Sequence, residues 1–229
     1  MTRQRPILLS IFLLAFIAMS GWLIYEAVHK WGTQFVAGAP PISISSVIVP
    51  KTVELGLLRP PALRATDFMR YGGTTSSASL ILFGNYSCAA CKELEAAIKT
   101  VAPQYHGAVR YIWRDLPQLD GGRQLDAAVF AYCAGLQNKF WETHDALLSG
   151  NELGEMQFLQ IVQRLSLDLN QMDACRTNAQ IVAQIRREAE LAQGDGVTST
   201  PILFVGSRAY AGTVPAEEID KELKKFLGS

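Results

Sequence analysis

The chain has 229 residues, 49% of them hydrophobic and 18% charged, and its 21 Lys+Arg balance 21 Asp+Glu. That apolar fraction suits one packed domain plus a tail and excludes a disordered chain. Zero net charge removes the basic footprint of a nucleic-acid binder, three histidines with no pair at metal-ligand spacing (His29, His106, His144) argue against a histidine-rich zinc or copper site, and no GxxxxGK[ST] or GxGxxG loop is present.

The N-terminus is read first. Arg3 and Arg5 precede an uncharged run from Ile7 to Tyr25, which as a helix spans roughly 28 Å, close to a bilayer's hydrocarbon thickness of ~30 Å. Its length, with Trp22 and Tyr25 at interfacial positions, predicts a retained single-pass anchor (residues 1–29) rather than a signal peptide cut near Ala37-Gly38-Ala39. Basic residues ahead of the span place the N-terminus in the cytoplasm. The expected location is therefore the cytoplasmic (inner) membrane, with the rest of the chain on the periplasmic, extracytoplasmic side. Residues 30–74 read as a tether, marked by Pro40-Pro41, Pro50 and Pro60-Pro61 and a Gly/Thr/Ser loop from Gly72. Ile42 to Val49 carries some strand character within it.

From residue 75 the pattern is that of a packed domain. Ser79 to Phe83 reads as a buried strand. Gly84 to Ser87 has turn and capping chemistry, and an amphipathic helix follows over Ala89 to Val101. A second strand fits Ala108 to Arg114. A helical block runs from Arg123 to Gln193, broken near Gly150 and near Leu167 to Asn170. The strand Ile202 to Val205, a turn at Gly206-Ser207, a short strand through Tyr210 and a helix from Pro215 to Leu227 complete the order.

The chemistry lies in Cys88-Ala89-Ala90-Cys91. Two cysteines three apart, opening a helix behind a buried strand, close a small disulfide ring. The helix N-terminus offers unpaired N–H groups and about half a positive charge, which favours a thiolate on Cys88. Cys91, one turn in, suits the resolving role. A zinc knuckle would need a second ligand pair, which is absent, and a purely structural disulfide is the plainer alternative. A second signal is Thr200-Pro201 at the mouth of the Ile202 to Val205 strand, where a proline cannot donate to the ladder. A cis bond there would turn the Thr200 N–H and C=O outward to pair with an extended substrate; a trans proline merely starting the strand is the alternative.

Together the stretches LILFGNYSCAACKELE, VRYIWRDLP, CAGLQNKFWETHDALL and GVTSTPILFV resemble the DsbA-like branch of the thioredoxin superfamily, over roughly residues 75 to 228. The resemblance implies an α/β thioredoxin fold with an inserted α-helical domain at about 123–193. It also implies that Cys88 is the attacking thiol, Cys91 the resolving one, and Pro201 a cis-proline facing them. Two departures stand out. Ala89-Ala90 replaces the proline and histidine of strongly oxidising members, which removes one stabiliser of the Cys88 thiolate and predicts a weaker oxidant. No clear first strand opens the domain, and Ile42 to Val49 fits that place poorly.

Cys133 and Cys175 lie in the helical block. In an exported chain an even cysteine total points to a structural disulfide between them, with isolated buried thiols and a second redox pair as alternatives; some DsbA-like proteins carry a second disulfide in this region. His144, with Trp141 and Leu148 on one helical face, reads as packing and hydrogen bonding. The expected function is a thiol:disulfide oxidoreductase that needs no cofactor and oxidises cysteine-containing exported proteins, re-oxidised by a quinone-linked membrane partner. The reverse direction, as reductase or isomerase, and a non-catalytic peptide-binding module are the alternatives.

Overall fold

In the computed structural model, which describes residues 19–27, 52–56, 58–119, 122–150 and 152–228, the chain divides into two units, Met1–Val49 and Pro50–Ser229. The described part of the first unit is a helix over residues 19–27 (α1). Most of the expected span from Ile7 to Tyr25 lies outside the described residues, as does Ile42 to Val49. Among the described residues no helix is long and apolar enough to cross a membrane.

Six strands of the second unit make one sheet: β1 (Thr52–Glu54), β2 (Met69–Arg70), β3 (Ala78–Gly84), β4 (Val109–Asp115), β5 (Ile202–Val205) and β6 (Arg208–Gly212), in the order β1-β6-β5-β3-β4-β2. β3 and β4 are parallel, and the other pairings are antiparallel. Because side chains alternate along a strand, Leu80 and Leu82 join one cluster with Tyr111, Trp113 and Leu203. Ile81 and Phe83 join another with Ile112, Ile202 and Phe204. Both faces are covered, which is why the run before the CxxC is continuously apolar. The helices α2 (Ala89–Val101) and α8 (Ala216–Leu227) contribute to the first cluster. Ala189 and Ala192 of α7 (Ala179–Gly194) contribute to the second.

Helix α2 buries Cys91, Leu94, Ile98 and Val101 along one stripe. It runs into a 3-10 helix, Ala102–Tyr105, with Pro103 at its start, and the chain turns at His106 in the left-handed region (φ 46°). Between β4 and β5 the helical block comprises α3 (Arg123–Leu136), α4 (Phe140–Ser149), α5 (Glu155–Leu165), α6 (Leu169–Arg176) and α7. Besides the expected breaks near Gly150 and Leu167, the block breaks after Leu136, where Asn138 is left-handed (φ 60°), and at Thr177-Asn178. The Asn178 side chain caps α7 by accepting from the Gln180 N–H.

The later part of the expected tether belongs to the domain. β1 pairs with β6, and β2 with β4. Two buried arginines of β4 reach back into this segment. Arg110 donates to the Gly73 and Thr74 carbonyls, and Arg114 donates from Nε and Nη2 to the two oxygens of Asp67 at 2.9 and 2.7 Å. Phe68 stacks on Phe140 at 4.3 Å between centroids. Prolines that read as extended tether are thus compatible with a docked strap held from outside by the sheet. Asp67→Ala would leave the Arg114 guanidinium buried without its counter-charge, and is expected to lower the unfolding free energy in urea by about 3–5 kcal/mol. A loss below about 1 kcal/mol would mean that the strap is dispensable.

Candidate active site at the start of helix α2

The turn after β3 sets the site. Asn85 Oδ1 accepts from the Ser87 N–H at 3.0 Å, and the Asn85 carbonyl accepts from the Cys88 N–H at 3.2 Å. A Cβ at Gly84 would lie 2.4 Å from the Trp113 ring, so only glycine lets β3 pass there. This turn delivers Cys88 as the N-cap of α2, with extended backbone, and Cys88 Sγ accepts from the Cys91 N–H at 3.0 Å. Cys88 is half-buried and Cys91 is fully buried; they are disulfide-bonded with Cα atoms 5.2 Å apart. The first turn of α2 contains no acidic residue. A reduced Cys88 would therefore hold its thiolate against free helix amides and a positive dipole end.

The Thr200–Pro201 bond is cis. Asn85, three residues before Cys88, donates from Nδ2 to Thr200 Oγ1 at 3.1 Å, so the two loops stand side by side at one end of the sheet. Thr200 is half-buried and Pro201 buried. Cys133 and Cys175 are bonded across α3 and α6, with Cα atoms 5.8 Å apart, inside the range a bridge tolerates.

A buried polar chain lies beneath the cysteines. Glu95 is one turn beyond Cys91 on the same face and is 2% exposed. It accepts from the Tyr111 hydroxyl, and its Oε1 stands 3.5 Å from His144 Nε2 and 3.7 Å from Lys99 Nζ. His144 Nδ1 meets the Tyr86 hydroxyl at 3.3 Å. Burial drives the Glu95 carboxyl up, but His144, Tyr111 and Lys99 outweigh it and hold the group below the usual range. Burial pushes the Tyr86 phenol well up, so it stays neutral. Asp115, at the end of β4, is raised to about 7 by burial despite the hydrogen bond from Trp113 Nε1.

Glu95, His144 and Asp145 bring three potential metal-ligand atoms within 4.8 Å. Lys99 and Arg70, however, already sit on Asp145 at 2.8 Å, so the group is a charge network rather than an open coordination site. His144 thus packs and hydrogen-bonds as its helical spacing predicts. Glu95 went unnoticed in the sequence, although a carboxylate inside the Cys91–Leu94–Ile98 stripe is the signal that could have found it.

A mixed sheet of this order, a disulfide opening the first long helix, and a cis-proline loop joined to the preceding turn through Asn85 and Thr200 define a thioredoxin-like domain. Residues 65–225 match the family model described as Thioredoxin, and the chain belongs to that family. Among solved structures it is similar to the thiol-disulfide exchange protein alpha-DsbA2 from Wolbachia pipientis, at 28% identity and a TM-score of 0.63 over 70% of this chain and 87% of that one. A thioredoxin-like oxidoreductase from Silicibacter pomeroyi DSS-3 shares the fold at 23% identity, with a TM-score of 0.64 over 72% of this chain and 95% of the other. A curated relative, the Na(+)/H(+) antiporter NhaA 1 of Salinispora arenicola, is 26% identical over 204 residues. That match takes in 88% of this chain, which spans only 30% of the antiporter.

Proposed function

We propose that the protein is a membrane-tethered dithiol oxidase on the extracytoplasmic face, donating the Cys88–Cys91 disulfide to exported proteins. The observation that carries this reading is the bonded pair itself, with Cys88 presented at a helix N-cap and Cys91 buried behind it. A client thiolate attacks Cys88 Sγ, the Cys88–Cys91 bond breaks, and Cys91 leaves with the electron pair and takes up a proton. A second client thiolate then attacks the client sulfur of the mixed disulfide, and Cys88 departs as a thiolate. Two electrons have passed from client to enzyme, and a quinone-linked membrane partner would accept them in turn. The Thr200 main chain, tied by its side chain to Asn85 in the turn before Cys88, would be the rail on which an extended client segment aligns.

The compartment rests on Arg3 and Arg5 ahead of an apolar run, and on four cysteines in two disulfides, which suits an oxidising environment. Trp22, Leu23 and Ile24 are exposed on α1. The direction of electron flow is tested by equilibrating the protein with glutathione buffers. With amides but no side-chain donor from Ala89-Ala90 to hold the thiolate, the potential is expected above roughly −200 mV but short of the strongest oxidants near −120 mV. A value below about −250 mV would assign the reductase direction instead.

A further inference from the structure

β3 and β5 pair antiparallel, with Phe83 opposite Ile202. Continued by two residues, that register puts Gly84 opposite Pro201 and Asn85 opposite Thr200. The main-chain ladder cannot follow, because Pro201 has no N–H and the Gly84 carbonyl already accepts from the Leu116 N–H at 2.7 Å. Where the ladder stops, the bond of 3.1 Å from Asn85 Nδ2 to Thr200 Oγ1 takes its place. Its direction is fixed. Asn85 Oδ1 accepts from the Ser87 N–H, which can only donate, so the amide NH2 faces Thr200 and the hydroxyl accepts. The Asn85 carbonyl meanwhile accepts from the Cys88 N–H. Oδ1 and the carbonyl thus shape the turn that presents Cys88, while Nδ2 reaches across to the other loop. That loop has little else to hold it. From Thr198 to Thr200 it makes no main-chain hydrogen bond among the described residues, and Thr198 and Ser199 are exposed. The N–H and carbonyl of Thr200 are therefore open to a partner, and their position depends on the Asn85 side chain.

We propose that Asn85 is a positioning residue: it holds the Thr200 main chain in register with Cys88 and so sets the affinity for an extended client. The inference rests on the redox reading above, which supplies the client thiolate, its bond to Cys88 Sγ and the departure of Cys91 with the electron pair. Asn85 acts on the alignment of the client and not on the sulfur chemistry.

The test uses the oxidised full chain, a two-cysteine peptide whose other residues are alanine and glycine, and dithiothreitol, which has no main chain to pair. Asn85→Ser keeps an oxygen that can accept from the Ser87 N–H but is too short to reach Thr200. Its single-turnover rate with the peptide at low concentration, divided by its rate with dithiothreitol, is expected to fall roughly five- to tenfold, the contribution of one hydrogen bond. The loss should lie in the half-saturating peptide concentration and not in the limiting rate. Thr200→Val should lower the ratio equally, and Thr200→Ser, which restores the hydroxyl, should recover most of it. The Asn85→Ser, Thr200→Val double variant should lose no more than either single one, because both remove the same bond. An unchanged ratio, peptide and dithiothreitol rates that fall together, or losses that multiply in the double variant would each overturn the positioning role. The redox reading would survive all three, whereas a wild-type chain that oxidises neither thiol would overturn both. If Asn85→Ser fails to fold, equal ratios for Thr200→Val and Thr200→Ser would still sink the proposal.

Discussion

Cys88→Ser is expected to reduce disulfide transfer to background, and Cys91→Ala to stop turnover while leaving a client covalently held at Cys88. The asymmetry follows from burial. Cys88 is the half-exposed sulfur at the N-cap, where the Cys91 N–H points at it, whereas Cys91 is enclosed by the core. With Cys91 gone there is no disulfide for a client thiolate to open; the Cys88 thiolate instead attacks a client disulfide, one client sulfur leaves as a thiolate, and no neighbouring Cys91 thiol is present to reverse the mixed disulfide. Trapped species should run as slow bands on non-reducing gels and vanish with dithiothreitol. Retention of transfer by both single variants would mean that the pair is only a staple at the helix start.

The second large effect concerns stability. The Cys133–Cys175 bridge closes a 42-residue separation between α3 and α6. In the chain-entropy account a loop of that length stabilises by about 4 kcal/mol. For a domain of this size that corresponds to a fall in Tm of roughly 8–16 °C when both residues become serine. Both lie in the helical block, away from the β3–α2 turn that presents Cys88, so the initial thiol-exchange rate at Cys88 should be unaltered. Calorimetry and exchange kinetics on the same double variant separate the two readings. Normal melting with lost activity would make the bridge a second redox relay.

Much of the core was legible before folding. The Asn85 to Ser87 turn and the Cys91, Leu94, Ile98 stripe mark α2 from Ala89 to Val101, where the structure has it. The apolar run and its proline mark β5 at Ile202–Val205. What escaped is what depends on partners far along the chain. β1 and β2 have three and two residues, too few for an alternating pattern, and exist because β6 and β4 offer them an edge. The docked strap owes its place to Arg114 meeting Asp67 and Phe68 meeting Phe140. Neither contact leaves a local trace in a proline-rich stretch. Glu95 could be seen as a misplaced charge with Lys99 one turn on along α2, but Tyr111 and His144 come from β4 and α4, and only the folded chain brings them to it.

The helical insertion also fixes the order in which this site can be made. Asn85 and Thr200, joined side chain to side chain, are 115 residues apart, and β3 meets its neighbour β5 only after the whole block has been synthesised. A nascent chain therefore has both Cys88 and Cys91, three residues apart, well before it has the Thr200 loop. Cys133 emerges next and waits 42 residues for Cys175. Loop-closure entropy grows only slowly with length, so distance gives Cys133 little protection from a premature bond with the first pair.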